Sequence, residues 1–161
     1  MALARQIEDL DIPGKVAPAQ NWHLTLRFLG KVDQVTFERF LAGLQQVEDE
    51  SSFPISVDRF GAFPRAKRAT VVWVGVDKGE SRLSILNGIA EEAAVSAGLE
   101  PEDRPFHPHI TLSRVRPPAD VRWLEAQEVD LRWRCDRVVV FRSHLGGGPA
   151  RYESLETFHL F

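Results

Sequence analysis

The run Trp22-His23-Leu24-Thr25-Leu26-Arg27-Phe28 decides how the rest of the chain is read. Apolar and polar side chains alternate along it, and on a strand successive side chains point to opposite faces. His23 and Thr25 then share one face, with Leu24 and Leu26 on the other. The pattern returns far downstream as His109-Ile110-Thr111-Leu112, again with a histidine and a threonine two residues apart. A lone histidine on a strand is most often packed or solvent-facing. Two in matched settings point to a site.

The segments around the two runs follow one plan. A helix is expected over 2–10, with Leu3, Ile7 and Leu10 at helical spacing, and a strand over 22–28. Asp33 caps a helix to about 47, and strands near 53–63 and 70–76 form a hairpin. A long helix over 80–97 shows Leu83, Leu86, Ile89, Ala90, Ala93 and Ala94 on one face and ends at Gly98. The second motif strand runs over 107–115 and is stopped by Pro117-Pro118. A short helix near 119–126 and strands near 128–134, 135–144 and 151–160 complete the chain, with Gly146-Gly147-Gly148-Pro149 as the last turn. Asp58-Arg59 and Asp136-Arg137 fall at similar places in the two halves. The expected class is α+β: a bilobal duplicated fold with two mainly antiparallel sheets, flanked by helices around a central cleft and related by a pseudo-two-fold. That symmetry brings His23 and His109 together.

Composition narrows the partners. The 161 residues, 43% hydrophobic and 27% charged, are those of an ordinary globular chain of one domain. No apolar run approaches the roughly 20 residues that span a bilayer, so no membrane partner is expected. Cys135 is the only cysteine, which excludes an internal disulfide and fits the cytoplasm. A net charge of −3 argues against broad non-specific nucleic-acid binding but leaves room for a local basic site. Pro64-Arg65-Ala66-Lys67-Arg68 is the densest cationic cluster.

Imidazole titrates near neutral pH, so of two facing histidines one can act as base while the other acts as acid. That is what hydrolysis of a phosphodiester needs without a metal: one group activates water, the other protonates the departing alkoxide. Thr25 and Thr111 can donate hydrogen bonds to the phosphoryl oxygens where charge is held. His107 and His109 share a strand face as a metal pair would, but no further His or carboxylate lies nearby at ligand spacing, so no metal or other cofactor is expected. His144 and His159 lack a matching threonine and read as surface or packed residues, and Ser143 lacks the Gly-x-Ser-x-Gly elbow of a hydrolase.

These residues resemble the paired signature of the two-histidine phosphoesterase superfamily. His23-Leu24-Thr25-Leu26-Arg27-Phe28-Leu29-Gly30, Gly61-Ala62-Phe63-Pro64 before Val72-Trp73-Val74-Gly75, and Pro108-His109-Ile110-Thr111-Leu112-Ser113-Arg114 are similar to the RNA 2′,3′-cyclic phosphodiesterases, also called 2′-5′ RNA ligases. Phe141-Arg142-Ser143 and Gly148-Pro149-Ala150-Arg151-Tyr152 resemble that family's last hairpin. The resemblance implies metal-free hydrolysis of a cyclic phosphate at an RNA 3′ end to a 2′-phosphate, with 2′-5′ ligation as the reverse. It implies His23 as proton donor, His109 as proton acceptor, and Arg114 on the phosphate or ribose. Strict alternation points Arg114 to the far face, a conflict that a bulge or a strand end near Ser113 would resolve. Phe28, at the equivalent place in the first motif, is read either as a base-stacking residue or as a core residue. The partners implied are RNA 3′ ends, tRNA-like or oligoribonucleotide, or small cyclic nucleotides, with no protein partner. Residues 1–161 are read as a single two-lobed domain, and the apolar strand that opens the family's fold is expected to be missing. A non-catalytic RNA-end binder, and a related esterase acting on a 2′-5′ linkage or a small cyclic nucleotide, are the rival readings.

Overall fold

The computed structural model describes residues 2–146 and 150–161. Helix α1 (Ala2–Leu10) leads to a two-residue strand β1 (Lys15–Val16), and α2 (Gln34–Leu44) precedes the hairpin β2 (Phe53–Phe63) and β3 (Ala69–Val76). Helix α3 (Glu80–Ser96), β4 (His109–Ala119), β5 (Leu131–Cys135), β6 (Arg137–His144) and β7 (Arg151–His159) follow. The strands form two antiparallel sheets, one ordered β1-β4-β3-β2-β5 and the other the pair β6-β7. The α+β class with two antiparallel sheets is as expected.

The helices form where the periodicity placed them. Asp33 accepts a hydrogen bond from the Thr36 backbone N–H at 2.8 Å, satisfying a donor that the first turn of α2 leaves open. The α-helix stops at Leu44 and tightens into a 3₁₀ turn over Gln45–Asp49, whose Val47 is fully buried. The six expected residues of α3 are its buried ones. Gly43 of α2 lets the two helices approach closely, because a Cβ there would sit 2.9 Å from the Ala93 methyl. Buried side chains from Leu3 to Leu160 make one contiguous core. No helix among the described residues is long and apolar enough to cross a membrane.

Several elements depart from the pattern. The first motif is not a regular strand: residues 22–28 contribute a single antiparallel bridge, Leu24 to Ile110. Its polar groups are held by side chains instead. The Asn87 amide donates to the Leu26 carbonyl at 2.9 Å, and the Arg27 guanidinium donates to the Phe28 and Glu100 carbonyls. Pro117 and Pro118 lie inside β4 rather than after it. They are tolerated because the ladder with β3 jumps from Val71–Arg114 to Ala69–Ala119, leaving 115–118 outside the register where no N–H is needed. The helix expected near 119–126 is a 3₁₀ turn, Arg122–Ala126, and of the turn expected over 146–149, residues 147–149 lie outside those described. Asp58 sits in a bulge of β2, and Asp136 separates β5 from β6 where the chain changes sheets.

Candidate active site

The bridge between Leu24 and Ile110 sets the geometry of the two motifs. Ile110 is buried in the core, so its neighbours His109 and Thr111 face the other way. Antiparallel register then sets His23 opposite Thr111 and Thr25 opposite His109. The two histidines become diagonal neighbours, a relation that in sheets spans about 7–8 Å. The positive charge of His23 is close enough to disfavour protonation of His109.

Each imidazole is held by the same device. His23 Nδ1 lies 2.7 Å from the Asn21 carbonyl, and His109 Nδ1 lies 2.6 Å from the His107 carbonyl, two residues upstream in both cases. A carbonyl oxygen only accepts, so Nδ1 carries the proton and donates it. Nε2 is left in both rings as the atom that takes or gives a proton.

Each ring also stands against an aromatic pair from one hairpin. His109 meets Phe63 of β2 edge-on at 5.2 Å and Trp73 of β3 at 5.9 Å. His23 meets Tyr152 of β7 at 4.9 Å and Phe141 of β6 at 6.2 Å. The first motif therefore leans on the hairpin of the second half, and the second motif on the hairpin of the first. Asn21 strengthens the exchange by donating from its side chain to the Ala150 carbonyl at 2.8 Å. Trp73 fits only because Gly61 opposite it has no side chain; a Cβ there would fall inside the indole ring. The Trp73 indole N–H is itself buried without a partner among the described residues.

The conflict over Arg114 resolves in the sheet. Trp73 pairs with Thr111 and Val72 with Ser113, so Leu112 is an extra residue and β4 bulges there. Leu112 and Ser113 are both buried, and the alternation resumes one residue later with Arg114 exposed. Arg114 thus returns to the face of His109 and Thr111. The Ser113 hydroxyl donates to the Pro13 carbonyl at 2.7 Å, and Gly14 lies against the Arg114 main chain where a Cβ would clash. Thr25 is exposed and Thr111 half-buried, both open to a ligand. Phe28 is 72% exposed, which overturns its reading as a core residue. His144 is at the surface, 3.0 Å from Glu153, and among the described residues no group of three or more His, Cys, Asp or Glu could hold a metal.

The surroundings of His109 act on its protonation. Burial against the aromatic wall pushes its pKa below the ordinary imidazole value of 6.5, and positive charge on His107 and His23 pushes the same way; the bond to the His107 carbonyl opposes them. His109 is thereby kept neutral, with Nε2 free to accept a proton. His107 packs on Trp73 at 4.8 Å and lies 5.6 Å from His109. His107→Phe keeps the stacking and the carbonyl but removes the charge, so the pKa of His109 rises. The acid limb of kcat/KM then moves to higher pH; an unmoved limb would show that His107 exerts no such influence.

Sequence reasoning did not assign Phe63, Trp73, Phe141, Tyr152 or the two carbonyls to the site. The aromatics stand in stretches that carry the family resemblance, but their pairing across the exchanged hairpins is not visible from one chain.

This fold, with two His-x-Thr segments facing each other between two hairpins, defines a class, and the chain belongs to the 2′-5′ RNA ligase superfamily, whose family model matches residues 2–147. An RNA 2′,3′-cyclic phosphodiesterase of Methanothermobacter thermautotrophicus is 30% identical over 161 residues, covering 96% of this chain and 86% of the relative. One from Aeropyrum pernix is 37% identical over 114 residues, 71% of this chain and 64% of the relative, so the match spans under two thirds of that protein. The crystal structure of Escherichia coli LigT complexed with 3′-AMP superimposes with a TM-score of 0.77 at 26% identity, covering 97% of this chain and 88% of that one.

Proposed function

We propose that the chain is an RNA 2′,3′-cyclic phosphodiesterase, a single two-lobed cytoplasmic domain that opens a cyclic phosphate to a 2′-phosphate by metal-independent acid–base catalysis. The observation that carries this reading is the paired carbonyl-held imidazoles, both with Nε2 free, beside two threonine hydroxyls. His109 Nε2 accepts a proton from water as the water oxygen attacks phosphorus. The bond from phosphorus to O3′ breaks, and His23 Nε2–H gives its proton to the departing oxygen. The products are a 3′-hydroxyl and a 2′-phosphate; His109 ends protonated and His23 neutral, and exchange with solvent restores both. With a 5′-hydroxyl in place of water as the nucleophile, the same displacement forms a 2′-5′ linkage: His109 takes the hydroxyl proton, the P–O3′ bond breaks, and His23 protonates O3′. Thr25 and Thr111 donate to the non-bridging oxygens, and the Arg114 guanidinium offsets their charge. Phe28, exposed at the end of the first motif, presents a ring on which a base can stack.

The rival readings separate by product. The enzyme is incubated with a cyclic-ended oligoribonucleotide, a 2′-5′ linked dinucleotide and a small 2′,3′-cyclic nucleotide, each with and without chelator. The expected result is a 2′-phosphate from the cyclic ends, unchanged by chelator. A 3′-phosphate product would reverse the leaving oxygen and overturn the mechanism. Binding of the RNA without turnover would favour the non-catalytic reading, and turnover of the 2′-5′ linkage alone would favour the related esterase.

A further inference from the structure

The cationic cluster between β2 and β3 has no part in the chemistry above, yet it lies at the margin of the site. Phe63, which walls His109, is followed at once by Pro64 and Arg65, and the turn Ala66–Arg68 carries Lys67 and Arg68. On the same sheet, Lys15 of β1 pairs with Arg114 of β4, and Arg116 follows two residues on. All six cations are exposed. None makes an ion pair among the described residues, whereas Arg27, Arg59, Arg82, Arg104, Arg122 and Arg132 each engage a carboxylate. Asp120, the acid whose field reaches Lys67, is gripped by the Arg122 guanidinium through both its oxygens. The turn is fixed rather than loose. The Val121 N–H donates to the Ala66 carbonyl at 2.8 Å, the Arg68 N–H to the Arg65 carbonyl at 3.1 Å, and the Thr70 hydroxyl to the Phe63 carbonyl at 3.2 Å.

A fixed row of unpaired cations on a chain of net charge −3 concentrates attraction for a polyanion at one place. We infer that Arg65, Lys67 and Arg68, continuing outward from Arg114 and Lys15, form a docking track for the phosphate backbone of single-stranded RNA lying 5′ to the cyclic end. The inference rests on the reading of the site as a cyclic phosphodiesterase and sharpens it: the substrate is a polynucleotide end, of which a mononucleotide fills only the reacting part. A strand whose terminal phosphate lies against His23 and His109 passes Phe63 and Arg114, and its next phosphates meet the turn.

The test compares wild type with the triple variant R65A/K67A/R68A, whose side chains bond to nothing else described. Hydrolysis of a 2′,3′-cyclic mononucleotide and of a cyclic-ended oligoribonucleotide is followed as salt is raised, and binding of the labelled oligonucleotide is measured by fluorescence anisotropy. The mononucleotide kcat/KM is expected to stay unchanged. The oligonucleotide KM is expected to rise on the order of 10-fold near physiological salt, and the slope of log affinity against log salt to flatten by roughly 2, about 0.7 for each single-strand phosphate that the protein ceases to neutralise. Equal losses on both substrates, or no change in oligonucleotide binding or its salt slope, would overturn the track. If wild type hydrolyses neither substrate but the variant still loses salt-dependent binding, the track stands and the catalytic reading falls.

Discussion

Replacing His109 by alanine is expected to lower kcat on a cyclic-phosphate substrate by about 10²–10⁴, and His23→Ala by a similar factor. Each decade corresponds to about 1.4 kcal/mol of transition-state stabilisation, so either change removes roughly 3–5 kcal/mol from the reacting complex. The double variant should be little worse than the singles, because acid and base act on one displacement and either loss disables it. Thermal unfolding distinguishes loss of chemistry from loss of fold. Wild-type His109 has a folded pKa below the 6.5 it regains on unfolding. As pH falls through 6.5 the unfolded chain takes up a proton that the folded chain refuses, so stability contributed above 6.5 is lost downward through that window. His109→Ala should therefore fold, and its Tm should fall less than that of wild type between neutral and mildly acidic pH. A variant with full activity would remove His109 from the mechanism.

The second large effect is expected at Arg27, whose bonds are all to the protein itself. Arg27 holds the first motif in place with a side chain only 9% exposed; its Nε lies 2.6 Å from Glu91 of α3, while its other nitrogens bond the Phe28 and Glu100 carbonyls. The Glu91 carboxyl is held below the usual carboxylate range first by the Glu102 backbone N–H and also by Arg27. Arg27→Ala leaves that carboxylate with the Glu102 N–H alone and takes a side-chain donor from each of two carbonyls. Breaking a buried pair costs about 3–5 kcal/mol, and because Glu91 is 28% exposed the lower end, about 3 kcal/mol, is expected from denaturant unfolding. Because the motif has one bridge to β4 and no ladder, the loss falls on the position of His23 as well. kcat should drop with it, and Arg27→Lys should restore little, since an ammonium cannot reproduce the guanidinium's fork of donors. A variant as stable and active as wild type would show that the bridge and Asn87 suffice.

What could be read from one sequence follows the range of the forces involved. The buried face of α3 and the cap at Asp33 depend on residues three or four apart, and both were legible. The faces of His23, Thr25, His109 and Thr111 were legible for the same reason: alternation is local. The strand expected over 22–28 was not formed, because a strand needs a neighbour along its length and this segment has only Ile110; Asn87 and Arg27 complete its hydrogen bonding. The side on which Arg114 emerges was undecidable from alternation alone. It depends on a bulge stabilised by Ser113 donating to Pro13 and by the room left at Gly14, both far away in sequence. The carbonyls of Asn21 and His107 leave no trace in residue identity, yet they fix which nitrogen of each imidazole is left free.

In the proposed mechanism a neutral His109 takes a proton from water while His23 supplies one, without a metal. The most direct test is the pH dependence of kcat/KM for wild-type enzyme on a 2′,3′-cyclic mononucleotide, measured in excess chelator. The predicted result is a bell whose acid limb lies below 6.5, the side to which burial moves His109. A profile with no acid limb would remove His109 as the base, and activity abolished by chelator and restored by a divalent cation would rule out a metal-free reaction.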